Sequence, residues 1–458
     1  MKTQQTTVAS PLRRALLASV GGQALEWYDF ALYGLAAALV FPHVFFPGSS
    51  DFVGTLASFG TFAVGFIARP IGGVIFGRLG DKIGRSPTLI ITILLMGIST
   101  VLIGVLPDYH SIGMAAPILL VVLRVAQGVG VGGEWSGAAI VVCEYAPEKK
   151  RGFFTSMINS GEYIGLLPAT ALFTFLVTIM PDDQFQDWGW RIPFLLSAIG
   201  LLATFIVRRT LDETPEFKAL EEDNSVAKPS LKEALQSNGR NIFIVIGIRI
   251  FENASAYLIT AFAVTYAEQV IGVETSTLTM GVFFAGVIAI PMIPLWGALS
   301  DRIGRKKIFL GGLLFLTAFY WPFFLLLGTN TTGLIWLAFS LAYAFGMAPM
   351  LSVEPAWFAE LFPTDFRYSG TAISANVASV VAGGIAPLVA ISLLAANDDK
   401  IYYILGYIGV LAVITLVAVL IARETSGTTL VRATAGPKDG VADASGSSVT
   451  AQPEGTVV

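Results

Sequence analysis

The sequence is poor in the residues on which most enzyme and metal chemistry depends. Of 458 residues one is cysteine, Cys143, and two are histidine, His43 and His110. A lone thiol closes no disulfide within the chain, and two imidazoles with one thiol argue against a structural zinc site. Charged residues make up only 13% of the chain, against roughly 25% in soluble domains. The cations are too few and too dispersed to follow a phosphate backbone, and a net charge of −4 gives no reason to expect a nucleic-acid partner. No Gly-x-x-x-x-Gly-Lys-Ser/Thr pattern occurs, and the glycines of Gly128 to Gly133 follow no strand, so they do not read as a nucleotide loop. No His-rich or Ser/His/Asp grouping lies near a membrane face, which argues against an enzyme.

What the chain has in excess is apolar sequence: 54% hydrophobic residues and a mean hydropathy of +0.72. Twelve segments approach the ~20 residues that cross a bilayer. They cover 15–40, 54–76, 87–106, 115–143, 153–179 and 191–209, then 241–270, 278–299, 308–327, 333–353, 369–395 and 401–422. The pattern predicts an all-α membrane protein of two six-helix bundles. Arg13-Arg14 precedes the first run, but that run exceeds a signal-peptide core and carries Glu26 and Asp29, so it is expected to stay as the first helix. Arg78, Lys82, Arg85, Lys149 to Arg151, Arg302, Arg305 to Lys307 and Arg367 share one side. The loops near 41–53, 107–114, 181–190, 271–277 and 328–332 contain no Lys or Arg. The positive-inside rule then places both termini in the cytoplasm. The expected organisation is a cytoplasmic segment 1–14, a bundle 15–210, a linker 211–240 with some amphipathic helix, a bundle 241–422, and a disordered Gly/Ser/Thr-rich tail 423–458.

One short pattern occurs twice. Gly77-Arg-Leu-Gly-Asp81-Lys-Ile-Gly-Arg85 recurs as Gly297-Ala-Leu-Ser-Asp301-Arg-Ile-Gly-Arg305, each copy between two apolar runs. A pattern repeated at matching places in two hydrophobic halves marks an internally duplicated membrane protein, as in transporters built from parallel repeats. Glycine permits tight turns and close helix ends, while acid and base are suited to latching neighbouring helices.

Ionisable residues inside the spans are the remaining candidates, because a charge in hydrocarbon costs several kcal/mol on insertion scales. Glu26 and Asp29, three apart on one helical face, suit proton coupling, with a permanent salt bridge to Arg69 or Arg124 as the alternative. Arg124 offers a forked donor for a substrate carboxylate, with Gln127 beside it. Gly128 with Gly132, and Gly133 with Gly137, form close-packing faces, and Glu134 is expected in the inner latch. Glu162, Tyr28 and Tyr257 are candidate cavity residues, and Trp27, Tyr33, Tyr163 and Trp357 are further aromatics able to stack on a solute. Arg249 and Glu252 are placed to neutralise each other, with the glutamate facing the cavity. Glu354 and Glu360 read as surface groups.

The paired Asp/Gly/Arg loops resemble the signature of the major facilitator superfamily, and Arg124-Val-Ala-Gln-Gly-Val-Gly-Val-Gly-Gly-Glu134 resembles its fourth-span motif. Glu26-Trp-Tyr-Asp-Phe30, Arg69-Pro-Ile-Gly-Gly73 and Trp188-Gly-Trp-Arg-Ile-Pro-Phe194 are similar to the metabolite:proton symporters. Glu252 to Tyr266, Phe366 to Gly370 and Val377 to Gly384 look most like the shikimate-type branch. The resemblance implies a proton-coupled importer of a small organic acid in the cell membrane, monomeric, with no cofactor beyond the coupling proton. The chemistry of the residues themselves assigns Glu26 and Asp29 to proton coupling. Substrate contact would fall to Tyr28, Arg124, Gln127, Glu162, Arg249, Glu252 and Tyr257. Gly77, Asp81, Arg85, Glu134, Gly297, Asp301 and Arg305 would form the cytoplasmic gate. An osmoprotectant symporter for proline or betaine, or an organic-anion exporter working by antiport, are the alternatives. The tail lacks the coiled coil of many osmoprotectant members, and Leu166 stands where the antiporter pattern after Gly161-x-x-x-Gly165 expects proline.

Overall fold

In a chain this apolar the helix is the element that satisfies its own backbone, and the computed structural model is built accordingly. It describes residues 3–47, 51–222, 231–396 and 400–430, among which there is no strand. The first half contains α1 (Thr3–Leu39), α2 (Asp51–Ile83), α3 (Arg85–Val105), α4 (Ala115–Tyr145), α5 (Arg151–Ile179) and α6 (Arg191–Arg209). The second contains α7 (Leu231–Tyr257), α8 (Thr275–Ile303), α9 (Arg305–Gly328), α10 (Thr332–Leu341), α11 (Arg367–Ala378) and α12 (Tyr402–Ile421). Wider π turns at Leu258–Phe262, Ala342–Met347 and Ser379–Gly384 carry α7, α10 and α11 onward, α10 through Ala348–Leu361 and α11 through Ala386–Ala395. Eleven of these helices are long and apolar enough to cross a membrane. The twelfth, α1, is the one bearing Arg13, Arg14, Glu26 and Asp29.

Burial is inverted relative to a water-soluble protein. Ile67, Ile199, Leu388 and Leu420 are exposed, whereas Arg85, Glu134, Arg208, Arg305, Glu354 and Arg367 are wholly buried. Charges are normally kept at a protein's surface, so this distribution fits a chain whose outer solvent is lipid. Glycine sets the closest seam, between α2 and α4. A Cβ at Gly132 would overlap the Arg69 carbonyl, and one at Gly128 would overlap that of Gly65, which bears out the close-packing face read from their spacing.

The turns α2–α3, α4–α5, α8–α9 and α10–α11 gather at one basic end. Gly84 and Gly304, both at φ +107°, turn the chain there in a conformation L side chains avoid. The linker holds the amphipathic helix expected of it but ends before the expected boundary at 240. Its short helix Pro215–Glu222 buries Phe217 and Leu220, α7 already begins at Leu231, and residues 223–230 lie outside the described residues. The segment set apart as 1–14 is helical from Thr3.

The tail differs too. Residues 423–430, expected to be disordered, pack against the basic end, while 431–458 lie outside the described residues. The Trp357 indole donates to the Arg423 carbonyl (3.1 Å), Arg151 donates to that of Thr428 (2.8 Å), and Leu430 is buried beside Cys143 and Tyr368. The cause is an unmet need of α9, whose first backbone N–H groups lack helical acceptors. Glu424 accepts from the backbones of Arg305 (2.9 Å) and Lys306 (3.0 Å), and from Thr425 and Ser426 (3.0 Å each). Glu213 does the same at α3, accepting from Arg85 (3.0 Å) and Ser86 (3.2 Å). Burial pushes the Glu424 carboxyl up, but its backbone donors prevail and hold its pKa below the ordinary glutamate value. Its stabilising share is therefore full above the ordinary pKa and is lost as pH falls through the lowered one. Glu424→Ala is expected to cost about 1 kcal/mol, as for a lost N-cap, seen as a lower melting temperature in detergent. The deficit should shrink as the pH is taken below the carboxylate range.

Candidate functional site

The two halves enclose a cavity of about 220 Å³. Gln23, Glu26, Trp27, Arg69, Trp135 and Glu162 face it from the first half; Arg249, Glu252, Asn253, Tyr257, Tyr343 and Asn376 face it from the second. Tyr257, Tyr343 and Ser379 lie in or beside the π turns, where a widened backbone redirects side chains. Both guanidinium groups are held on aromatic rings. That of Arg69 lies 4.5 Å from the Phe66 ring centre, with Glu26 at 4.0 Å. That of Arg249 lies 4.2 Å from Trp135 of the opposite half, with Glu354 at 3.3 Å beneath it. Several buried polar atoms facing this space have no hydrogen-bond partner among the described residues: Gln23 Oε1, Glu26 Oε2 and Arg249 Nε. Glu252 accepts from Asn253 (2.7 Å). With Glu26 beside Arg69 and Glu354 beside Arg249, no salt bridge engages Glu162 or Glu252 among the described residues. The cavity thus offers fork donors for a carboxylate and acceptors for hydroxyl or ammonium groups.

The sequence-derived candidates divide between two places. Glu26, Glu162, Arg249, Glu252 and Tyr257 meet in the cavity, with Trp27 and Tyr163. Arg124, Gln127, Tyr28 and Asp29 do not line it. The Tyr28 hydroxyl donates to the Pro193 carbonyl (2.9 Å), and Tyr33 bonds Thr61 (2.6 Å). Arg124 lies over the rings of Tyr33 (4.1 Å) and Phe62 (4.9 Å) and donates to Gln127. Gln127 donates to Thr100 (2.7 Å), which in turn donates to Asp29 Oδ2 (2.5 Å). Glu26 and Asp29 therefore form no joint carboxylate pair. Three residues rotate the side chain by about 60° around a helix, and at α1 that rotation leads from the cavity into the packing of α3 and α4. Of the expected salt bridges only Glu26 with Arg69 forms; Asp29 and Arg124 are joined through Gln127 and Thr100.

Other expectations are corrected in the same way. Arg249 pairs with Glu354 rather than with Glu252. Glu354 and Glu360 are buried, not surface groups: Glu360 pairs with Arg305 at 3.4 Å. Trp357 is buried in the second half and does not line the cavity. Glu134 crosses to no gate; it is held inside the first half by Arg208 and by Thr92 (2.8 Å).

The duplicated loops do meet across the halves at the basic end. Asp81 accepts from the backbones of Tyr368 (3.1 Å) and Ser369 (2.9 Å), in the first turn of α11. Asp301 accepts from those of Gly152 (2.8 Å) and Phe153 (2.9 Å), in the first turn of α5. Each carboxylate thus meets free N–H groups and the positive helix end. Arg85 donates to the Thr364 carbonyl (2.6 Å), and Arg305 to Asp301 (2.8 Å). Gly77 and Gly297 admit Ser369 and Ser156 respectively at these crossings.

Sequence reasoning missed a second layer of this closure. Glu144 receives Arg367 of the second half (2.7 Å) and lies 3.7 Å from Arg85. Its signal was present: Glu144-x-x-Pro147-x-x-x-Arg151 recurs as Glu360-x-x-Pro363-x-x-x-Arg367. Thr100, beside Ser99, and Glu354, two residues after Ser352, had no such signal, each lying in an otherwise apolar run with no repeated pattern.

Comparison with known proteins agrees with this architecture. A family model described as Major Facilitator Superfamily matches residues 19–387 and 283–448. A shikimate transporter of Escherichia coli K12 is 41% identical over 85% of this chain and 89% of its own. A glycine betaine/proline/ectoine/pipecolic acid transporter of Dickeya dadantii is 37% identical over 93% and 86%. Among solved structures, the proton:xylose symporter XylE bound to 6-bromo-6-deoxy-D-glucose superposes with a TM-score of 0.72, 20% identity, and coverage of 92% and 98%.

Proposed function

The chain belongs to the major facilitator superfamily, and from that premise we propose that this membrane transporter is a proton symporter importing a small hydroxylated organic acid of the shikimate kind. The observation that carries the reading is the cavity's pair of ring-mounted guanidinium groups, Arg69 and Arg249, set among acceptors with unused valence. A fork donor suits a carboxylate, and the amides and carboxylates around it suit ring hydroxyls. The volume fits a metabolite smaller than the ligands of ordinary drug-sized pockets. The shikimate transporter among the relatives supports the same class.

In the proposed cycle Asp29 takes the proton and Arg69 exchanges Glu26 for the substrate carboxylate. The proton on Asp29 offsets the charge of the bound carboxylate, so the loaded protein closes between apolar helices with no added net charge. The Asp81 and Asp301 latches then part and the halves rock about the site. The basic end is the cytoplasmic face by the positive-inside rule. The protein acts as a monomer, and the proton is its only cofactor.

The test is uptake by proteoliposomes under an inward proton gradient, with labelled shikimate, protocatechuate, α-ketoglutarate, citrate and betaine. Shikimate is expected to accumulate and to acidify the interior, and Arg249→Leu to lower its uptake at least thirtyfold, on the order of the 2–5 kcal/mol held by a buried charged contact. Betaine uptake without shikimate uptake would replace this reading. That second reading has its own support: Glu162 and Glu252 lie without a salt bridge beside Trp27, Tyr163 and Tyr257, a setting that suits a quaternary ammonium. Alkalinisation of the interior on adding solute outside would instead mean antiport.

A further inference from the structure

Asp29 and Arg124 are buried charges of opposite sign that do not touch. Between them stand two neutral side chains from two further positions, Thr100 on α3 and Gln127 on α4. Arg124 Nη1 donates to Gln127 Oε1, Gln127 Nε2 donates to Thr100 Oγ1 at 2.7 Å, and Thr100 Oγ1 lies 2.5 Å from Asp29 Oδ2. The same Thr100 oxygen lies 3.1 Å from the Met96 carbonyl. A hydroxyl has one proton and two lone pairs, so Thr100 donates to Asp29 or to Met96, never fully to both. Asp29 Oδ1 has no partner among the described residues.

We propose that Thr100 and Gln127 are positioning residues forming a neutral hydrogen-bond wire that reports the protonation of Asp29 to Arg124, with the Thr100 hydroxyl as its two-position switch. The inference rests on the reading of Asp29 as the proton carrier. While Asp29 is ionised, the Thr100 proton points at Oδ2, and the oxygen receives Gln127. When a hydronium ion of the outer medium gives up its proton, one of its O–H bonds breaks, a water is left, and one O–H bond forms on Oδ2. That O–H must now donate, and Thr100 Oγ1 is in place to accept. The Thr100 hydroxyl turns to the Met96 carbonyl, and its two lone pairs serve Asp29 and Gln127. Hydrogen bonds in a chain polarise one another, so losing the anion at one end weakens the pull on the Arg124 guanidinium at the other. Arg124 then rests on its rings, Tyr33 and Phe62, and becomes the cation whose position depends on the proton.

The other charged and titratable groups around Asp29 leave this role to the wire. On α1 itself Glu26 is turned to Arg69 of α2, and Tyr28 is bonded to Pro193. Glu162 of α5 faces the cavity. On α6 Arg191 is engaged by the Gly104 and Leu106 carbonyls, and Arg208 by Glu134.

The test needs no substrate. Infrared difference spectra between alkaline and acidic pH are recorded on the full chain in lipid bilayers. The expected result is a protonated-carboxyl band that Asp29→Asn removes. Thr100→Val, which keeps shape but offers no acceptor, moves this band to higher wavenumber, and Thr100→Ser returns it. Thr100→Cys, a weaker acceptor, gives a smaller displacement in the same sense and serves where the valine variant does not fold. A band removed by Asp29→Asn but unmoved by every Thr100 substitution overturns the wire and leaves the proton carrier standing. A band that survives Asp29→Asn overturns the carrier and the wire together.

Discussion

Glu134→Ala is expected to cost the fold about 3–5 kcal/mol, the range for stripping one partner from a buried ion pair. Glu134 and Arg208 are wholly buried, and the guanidinium is held by both carboxylate oxygens and by the carbonyls of Ala18 and Leu89. Without the carboxylate a full positive charge remains among α1, α3, α4 and α6 with only backbone dipoles to solvate it. A smaller group at 134 also leaves a gap that nothing nearby fills, since Gly22 opposite has no side chain to offer and is glycine because any Cβ there would strike this pair. Glu134→Gln keeps an acceptor for Thr92 and loses the charge, so its cost should be intermediate. The double change Glu134→Leu with Arg208→Met should recover most of the loss, because two desolvation penalties vanish with the attraction. Thermal unfolding of the four proteins in one detergent measures this. A single-variant loss under about 1 kcal/mol would reduce the pair to the weight of a surface ion pair and withdraw its central place in the first half.

This pair also shows which parts of the structure the sequence carries openly. Helices, duplication and the basic end follow from local composition and from a nine-residue pattern repeated at Gly77 and Gly297, because apolar length and glycine turns are properties of neighbouring residues. The partners of Asp81 and Asp301 were hidden. Each carboxylate binds backbone N–H groups of the other half, and backbone amides have no sequence signature. By its place near the basic end Glu134 reads as a gate residue, yet depth along a helix says nothing about the side it faces. Glu354 reads as a surface group for the same reason, although the stretch Ala348–Leu361 turns it beneath Arg249. Asp29 and Glu26 share a stripe by spacing, but α1 borders both the cavity and the α3/α4 packing, so one stripe serves two environments. The Glu-x-x-Pro-x-x-x-Arg repeat at Glu144 and Glu360 was legible and marks the second layer of the closure.

The separation of those two carboxylates gives the second large effect a sharp form. Asp29→Asn should abolish concentrative uptake while leaving solute exchange across the membrane near its original rate. Symport of one proton with one neutral complex concentrates solute about tenfold for each pH unit of gradient, since one unit is worth about 1.36 kcal/mol; a gradient of two units gives roughly a hundredfold. Asparagine keeps the size of the aspartate and retains an oxygen for the Thr100 hydroxyl, so the helices keep their packing and the halves can still rock. It cannot take up the proton, and the hundredfold ratio should fall to about one. Glu26→Gln is the informative partner. Glu26 stands 4.0 Å from Arg69 in the cavity, so its loss should alter the apparent affinity for solute and spare the accumulation ratio. Counterflow and gradient-driven uptake in the same proteoliposomes separate the two quantities. Accumulation that persists in Asp29→Asn and disappears in Glu26→Gln would move the coupling site from the α3/α4 wire to the cavity wall. Arg69 would then be the cation that proton binding releases.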